Sequence, residues 1–338
     1  MSPSSNRSHH GLPTVNRIQE REPNRNVRPV SQFLAIIFFL ISLISPSPVR
    51  AQAPAPQIPP AVKQSVTRAV GWLLDRQHTS GMIIDDKSKT SGKPGDMPPH
   101  SAAMTSLALM GLASVGHVPS DPTPEGRAAA RALTFVTGNV EPDENGYLGR
   151  SDRSRMYGHG IMTLMMTEMI GQAPDEATDR RLHEMVDQAI KLILRAQGVP
   201  KSDANKGGWR YEPTSSDSDI SVSVWQLMSL RAAKNSGFDV PAEAIDKAIA
   251  YINRSYRAER DANGIPIEKE AAFSYEPYGG RQTFSTTSAG LLSLQVAGQY
   301  DAPEVLGSSD WLLRFPPAVN EPWFFYGTYY YAQGMYQR

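Results

Sequence analysis

The sequence of 338 residues predicts an all-α protein of about five helical hairpins, with one helix of each pair in an inner ring and the other outside it. Three observations predict this fold class. The stretch 207–234 returns as a near copy at 272–296, and such self-similarity marks a repeat architecture. Amphipathic segments alternate with segments that are apolar on almost every side. Few segments show the alternation of polar and apolar residues that is typical of strands.

The N-terminal part predicts an exported protein. Residues 1–30 are rich in Arg, Asn, Ser and Pro and lack periodicity, which indicates disorder. The apolar run 33–45 is too short to span a bilayer comfortably and, after a basic region, predicts a signal peptide cleaved near Ala51. An uncleaved membrane anchor is the alternative. Residues 1–51 are therefore predicted to direct export to the periplasm or the cell exterior. Residues 52–60 are predicted to form an extended Pro/Ala linker.

Residues 61–338 form the predicted repeat domain, which periodicity and helix-breaking residues divide into five pairs. In each pair an amphipathic helix precedes a more apolar one. The predicted helices are 62–77 with 100–115, 126–140 with 157–170, 179–197 with the helix after Asp219, 241–256 with 283–297, and 309–315 with 322–337.

The apolar helices carry one anchor residue roughly every sixty positions. A helix that is apolar all round must be covered on all sides, and two nested rings of helices would do this. An open solenoid is the alternative, although the unit is longer than the usual helical repeats. The predicted anchors are Leu112, Met169, Leu230 and Leu294.

Composition excludes several classes of function. Lys and Arg together equal Asp and Glu, at 34 each, which argues against nucleic acid as the main partner. The chain has no cysteine, which excludes disulfides, thiolate nucleophiles and Cys-containing zinc sites. The acidic pair Asp85 and Asp86 is read as solvated loop, so neither a metal site nor a cofactor is predicted.

Several motifs are similar to those of one known family. The spacing of Arg68, Ala69, Trp72, Leu73, Gln77 and Gly81 resembles the QW repeat of the terpenoid cyclase and prenyltransferase superfamily, with a looser copy at Ala189, Leu192, Ile193 and Gln197. The segments 156–160, 207–213 and 224–228 resemble its bacterial secreted members, the prenyltransferase/squalene oxidase repeat proteins. The resemblance implies an α/α toroid with a central apolar cavity at the amino ends of the inner helices.

An acidic motif, Asp217-Ser218-Asp219, opens the inner helix of the third pair. The resemblance implies that Asp219 could protonate an alkene, as the central acid of the cyclase Asp-x-Asp-Asp motif does, although Ile220 replaces the last acid. The alternative is a helix cap. Only the third repeat has acidic residues at these two positions. The residues aligned with Asp217 and Asp219 in the other repeats are Arg281 and Thr283, Met156 and Gly158, and Pro99 and Ser101.

A histidine and a set of aromatic residues complete the candidates. His159 could act as an acid or base, and the alternative is a hydrogen-bonded structural residue. Aromatic faces could stabilise a carbocation or stack on sugars, and the alternative is core packing. The aromatic candidates for the cavity are Tyr157, Trp209, Tyr211, Trp225, Phe284, Tyr326, Tyr329 and Tyr330.

These features predict an exported toroid that binds an apolar or polymeric ligand in its central cavity. One alternative is a terpenoid cyclase-like isomerase with Asp219 as general acid, and another is a non-catalytic scaffold of the cell envelope. The sequence does not decide whether the protein is an enzyme. Because the sequence ends just after an inner helix, it is compatible with closure of the ring, with a cell-envelope protein partner and with a homo-oligomer.

Overall fold

The computed structural model describes residues 58–85 and 97–338, and these residues form ten α-helices and one short β-hairpin. The all-α prediction is confirmed at this level. Within those two ranges, no helix is long and apolar enough to cross a membrane. The run 33–45, the cleavage site near Ala51 and Asp86 lie outside them. The helices are α1 (Pro60–Arg76), α2 (Ser101–Ala113), α3 (Pro124–Asn139), α4 (Arg155–Met169), α5 (Glu176–Gln197), α6 (Ile220–Asn235), α7 (Ala242–Arg254), α8 (Phe284–Val296), α9 (Pro303–Arg314) and α10 (Phe324–Tyr336).

The helices occur in the predicted order along the chain, but two of them begin three or more residues earlier than the sequence analysis expects. Helix α9 begins at Pro303 rather than at residue 309, because proline suits the first helical position, where no intrahelical N–H is needed. Helix α5 begins at Glu176 rather than at residue 179. Its cap is Asp175, whose carboxylate accepts the main-chain N–H of Thr178 at 2.7 Å.

The β-hairpin lies in the second copy of the repeated turn. Strand β1 (Ser274–Glu276) pairs antiparallel with β2 (Gly279–Gln282). Strands of three and four residues are too short to show an alternating pattern, so the sequence analysis did not predict them.

Each pair packs on the pair before it. The second helices of the pairs, α2, α4, α6, α8 and α10, contact one another in that series. The first helices α3, α5, α7 and α9 pack on α2, α4, α6 and α8, which are the second helices of the preceding pairs. The fold therefore has two layers, one of second helices and one of first helices.

Helix α1 differs from the other first helices because no pair precedes it among the described residues. Every residue of α1 is at least partly exposed, including Val62 at 47% and Trp72 at 48%. The sequence predicts an apolar face on this helix, and only part of that face, formed by Val70, Leu73 and Leu74, packs against the core.

Two clusters of buried apolar side chains stabilise the layers. The larger cluster joins first and second helices and contains all four predicted anchors, Leu112, Met169, Leu230 and Leu294. Their common core is thereby confirmed, and full burial of one such side chain contributes about 1.5–3 kcal/mol. The smaller cluster takes residues from all five second helices, among them Ala103, Leu164, Trp225, Leu292 and Tyr330.

A repeated hydrogen bond joins the loop before each of four second helices to the first turn and a half of that helix. In every case a main-chain N–H of the loop donates to a polar side chain of the helix. The bonds run from Ile83 to Thr105 Oγ1 (3.0 Å), from Leu148 to His159 Nδ1 (3.3 Å), from Trp209 to Ser223 Oγ (2.9 Å) and from Phe273 to Thr287 Oγ1 (3.3 Å). These bonds identify equivalent residues in the four pairs.

Gly207 makes a close backbone contact between its loop and helix α7. Its φ is +89°, and an added Cβ would lie less than 3.0 Å from the carbonyl oxygen of Lys247. Gln197 strengthens this junction, because its amide donates to the carbonyl oxygens of Gly207 and Ala244, both at 2.9 Å. The same bonds recur between Gln77 and the carbonyl oxygens of Gly81 (3.1 Å) and Ala128 (2.8 Å).

Candidate functional site

The candidate site lies where the second helices begin, and Asp219 is its most buried acid. Asp219 is the N-cap of α6: its Oδ1 accepts the main-chain N–H of Val222 at 2.9 Å and the hydroxyl of Ser221 at 2.6 Å. The bond from Val222 satisfies a main-chain donor that a helix leaves free at its start. The capping alternative for Asp219 is therefore confirmed.

The other carboxylate oxygen of Asp219 has no hydrogen-bond partner in the described part of the chain. Its ion-pair partner is Arg210, whose Nε lies 3.4 Å away, while the hydroxyl of Tyr275 is nearby without the geometry of a hydrogen bond. Burial raises the pKa of Asp219, and the bonds from Ser221 and Val222 and the charge of Arg210 oppose this shift without cancelling it. Asp219 therefore keeps its proton to a higher pH than an exposed aspartate does.

Arg210 links the two copies of the repeated turn. Its Nη1 donates to Glu276 at 2.7 Å, and its Nε lies 3.5 Å from Asp217. The guanidinium carbon also lies 5.2 Å from the ring centre of Tyr211 and 5.5 Å from that of Tyr275, within the range of cation–π attraction. The hydroxyls of these two tyrosines are 2.6 Å apart. Both acids of the predicted motif are thus part of an ion cluster that connects α6 with the hairpin.

The repeated loop-to-helix bonds correct the predicted alignment of the acidic motif. They place Arg155 at the position equivalent to Asp219, four residues before the bonded side chain in each case. The alignment of Met156 and Gly158 with Asp217 and Asp219 is therefore wrong by three residues. The cause is a shorter loop, because eleven residues separate the two bonded positions in the second pair and fourteen separate them in the third.

His159 is fully buried, and both nitrogens of its ring have partners. Its Nδ1 accepts the N–H of Leu148, so the neutral ring carries its proton on Nε2, which lies 3.2 Å from the carbonyl oxygen of Ala189. Burial lowers the pKa of His159 to about 4, although Ala189 and the charge of Asp143 favour the protonated form. Because a threonine or serine occupies the equivalent place in three other pairs, these contacts favour the structural alternative.

The aromatic candidates separate into groups. Trp225, Tyr326, Tyr329 and Tyr330 pack together between the second helices, with the rings of Tyr329 and Tyr330 centred 5.5 and 5.7 Å from that of Trp225. Tyr326 also donates to the carbonyl oxygen of Ser221 at 3.3 Å. Side chains therefore fill the middle of the second-helix layer at this level.

Two of the remaining candidates are core residues and two face a pocket. Trp209 and Phe284 are buried, and the indole N–H of Trp209 donates to the carbonyl oxygen of Ile193 at 2.8 Å. Tyr157 and Tyr211 stack with 6.1 Å between ring centres, and both line an open pocket. The structure thus brings together only part of the predicted aromatic set.

The pocket beside Tyr157 and Tyr211 has a volume of about 390 Å³ and opens between the starts of α2 and α4. Its wall is almost entirely apolar, and Ala103 and Ile161 belong both to this wall and to the central cluster. Met104 lies at its edge and is 51% exposed. Volumes of about 300–1000 Å³ with apolar walls are usual for small-molecule sites. The lining formed by the described residues does not include the three predicted catalytic residues.

The rim of the pocket carries His100, Arg153 and Arg155, which the sequence analysis did not single out. All three have left-handed φ angles, of 68°, 58° and 57°. Such a conformation costs a non-glycine residue about 1–2 kcal/mol, and strain of this kind concentrates at functional sites. The density of basic residues just before α4 is the one sequence signal that could have indicated this rim, since backbone angles leave no trace in composition.

A scan against protein-family models and a search of curated proteins both found no match to this chain. Among the described residues, no three His, Asp or Glu side chains are grouped so that they could hold a metal ion. The interpretation of the site therefore depends on its own geometry and on the motifs that carry the resemblance.

Proposed function

We propose that residues 61–338 form an α/α toroid of the squalene cyclase and prenyltransferase-like class, which binds an apolar ligand in the pocket beside Tyr157 and Tyr211. The central cluster to which all five second helices contribute supports a ring rather than an open solenoid, because it joins Ala103 of the first to Tyr330 of the last. Gln77 and Gln197 hold the same place in the motif behind the resemblance, and each donates one bond to a loop glycine and one to the next first helix.

The observation that carries the binding function is the apolar pocket at the amino ends of the second helices, next to the central cluster. Because Trp225 and Tyr330 fill the middle of that layer, we place the ligand at this mouth rather than in a deeper chamber. A larger depression of about 540 Å³ lies around Arg254, Arg257 and Glu268. Its mixture of charges suits an apolar ligand less well.

Filling the pocket from its exposed edge tests this function. We expect 1-decanol to bind the full-length protein in isothermal titration calorimetry, and Met104→Trp to abolish binding because the larger ring occupies the pocket. Met104→Ala should retain binding. Leu306→Trp on α9, at another partly exposed position, is the matched control and should bind like the natural protein. Absence of decanol binding, or equal binding by Met104→Trp and the natural protein, would overturn the proposal.

One observation favours a second candidate function, the cyclase-like isomerase. Asp219 is buried with a raised pKa, as an acid that protonates an alkene would need to be. Incubation of the protein with squalene or farnesol, followed by mass spectrometry of the extract, tests this. Product that disappears in Asp219→Asn would support catalysis, whereas unchanged substrate in both samples would contradict it.

We also propose export of the chain on the basis of the apolar run 33–45 and the small residues that follow it. N-terminal sequencing of protein recovered from an exporting host tests this. A mature chain that begins near Ala51 is expected, and an intact N-terminus on cytoplasmic protein would contradict export.

A further inference from the structure

We infer that the pocket takes a single-chain amphiphile with a carboxylate head, the alkyl tail lying against the apolar wall and the head bound by Arg153 and Arg155. This inference rests on the proposed binding function and adds the chemical class of the ligand. An apolar wall alone selects for apolar surface, whereas a wall with cationic side chains at its mouth selects for an anionic group at one end of the ligand.

The charges around the rim support an anionic head. Arg155 forms an ion pair with Glu212, whose carboxylate oxygen lies 3.4 Å from its Nε, and this contact does not involve the two Nη groups of the guanidinium. Arg153 donates to the carbonyl oxygen of Met97 at 3.0 Å, and it forms no ion pair within the described residues. Since arginine binds carboxylates through two parallel hydrogen bonds, Arg153 is the primary ligand-binding cation.

The buried acid near the rim faces away from the pocket. Asp152 is 4% exposed, and its two oxygens accept the main-chain N–H groups of Ala102 (2.9 Å) and Ala103 (3.2 Å) at the start of α2. These bonds and the positive end of the helix dipole offset its charge. Asp152 therefore leaves the cationic character of the mouth largely intact.

Ser154 lies between the two arginines in the chain, but its hydroxyl does not face the ligand. It lines the pocket and is 8% exposed, and its hydroxyl has no hydrogen-bond partner within the described chain. The Asp152 carboxylate is near this hydroxyl, but without the geometry of a hydrogen bond. Ser154 stands at the N-cap position of α4 and makes no capping bond. Its hydroxyl oxygen is enclosed by protein atoms, next to the backbone of Gly158, so binding of the head is left to the two arginines.

Three probes of equal chain length test the inference on the full-length protein: decanoate, 1-decanol and decyltrimethylammonium, titrated calorimetrically at one salt concentration. We expect decanoate to bind at least tenfold more tightly than decanol, and the cation to bind most weakly. Arg153→Gln should weaken decanoate binding by about tenfold or more and leave decanol binding unchanged, since a hydrogen bond to a charged group is lost. Arg127→Gln is the matched control, because Arg127 also donates to a backbone carbonyl, that of Pro122, away from the pocket.

Ser154→Ala is a second control next to the arginines, because its enclosed hydroxyl does not reach the ligand and its removal should leave decanoate binding unchanged. If decanoate and decanol bind alike and Arg153→Gln has no effect, the carboxylate inference is overturned while the apolar pocket stands. If no probe binds, or if Met104→Trp fails to block decanoate, the binding function of the pocket is overturned as well.

Discussion

Replacing Gly207 with alanine should destabilise the protein by about 2–5 kcal/mol. At its φ of +89° an alanine costs about 1–2 kcal/mol. The new Cβ would overlap the carbonyl oxygen of Lys247, and relief of that overlap adds about 1–3 kcal/mol. Because Gln197 ties the same loop to α7, the loop cannot move away from α7 without breaking one of these two hydrogen bonds.

Urea unfolding followed by circular dichroism measures this loss, and Gly237→Ala is its control. Gly237 has almost the same φ, +88°, but a Cβ added there meets no atom within 4 Å. The control should therefore lose only the conformational part, about 1–2 kcal/mol. Equal losses in the two variants would refute the reasoning, because the backbone approach to α7 would then contribute nothing.

Three further substitutions test buried polar groups by urea unfolding. Asp219→Asn should keep the fold, since its amide oxygen can still accept the N–H of Val222. Because the pKa of Asp219 in the folded protein is raised above 3.8, the natural protein loses stability as pH rises above about 4. The variant lacks this loss, so its stability relative to the natural protein should increase with pH. A difference in stability that does not change with pH would contradict the raised pKa. His159→Thr introduces the residue that Thr105 provides in the first pair, so it should retain the hydrogen bond from the loop. The natural protein should lose stability as pH falls from 6.5 towards the pKa of about 4 that His159 has in the folded state, and this loss should be absent from the variant. An unchanged acid profile in this variant would contradict burial of the neutral ring. Gln197→Leu should cost about 1–3 kcal/mol, because two buried carbonyl oxygens lose their donor, and a neutral effect would show that these bonds do not stabilise the junction.

The presence and order of the helices could be predicted because hydrophobic periodicity is a local property of the chain. The exposure of α1 could not, because it depends on which helix precedes it in space: Val62 and Trp72 have the same spacing as residues that are covered in other pairs. The start of α9 was missed because Val305 and Leu306 stand between Pro303 and Gly307, two residues that usually interrupt helices, and the helical state of this turn depends on its contact with α8.

The site was predictable where helix-end chemistry decides it. An aspartate before an apolar helix indicates a cap, and Asp219 is one. The role of His159 needed the register between pairs, which a three-residue difference in loop length concealed. Arg153 and Arg155 were missed because their importance comes from left-handed backbone angles and from a pocket formed by residues distant in sequence.

The recurring hydrogen bond from loop to helix needs a side-chain lone pair at one position of the second helix, and hydroxyl and imidazole groups both supply one. Of the four bonds, one uses a titratable ring, so the junction between Leu148 and His159 is the one at which acid can weaken the link between loop and helix. At the other three, Thr105, Ser223 and Thr287 are 0–1% exposed, and a histidine there would crowd the packed interior.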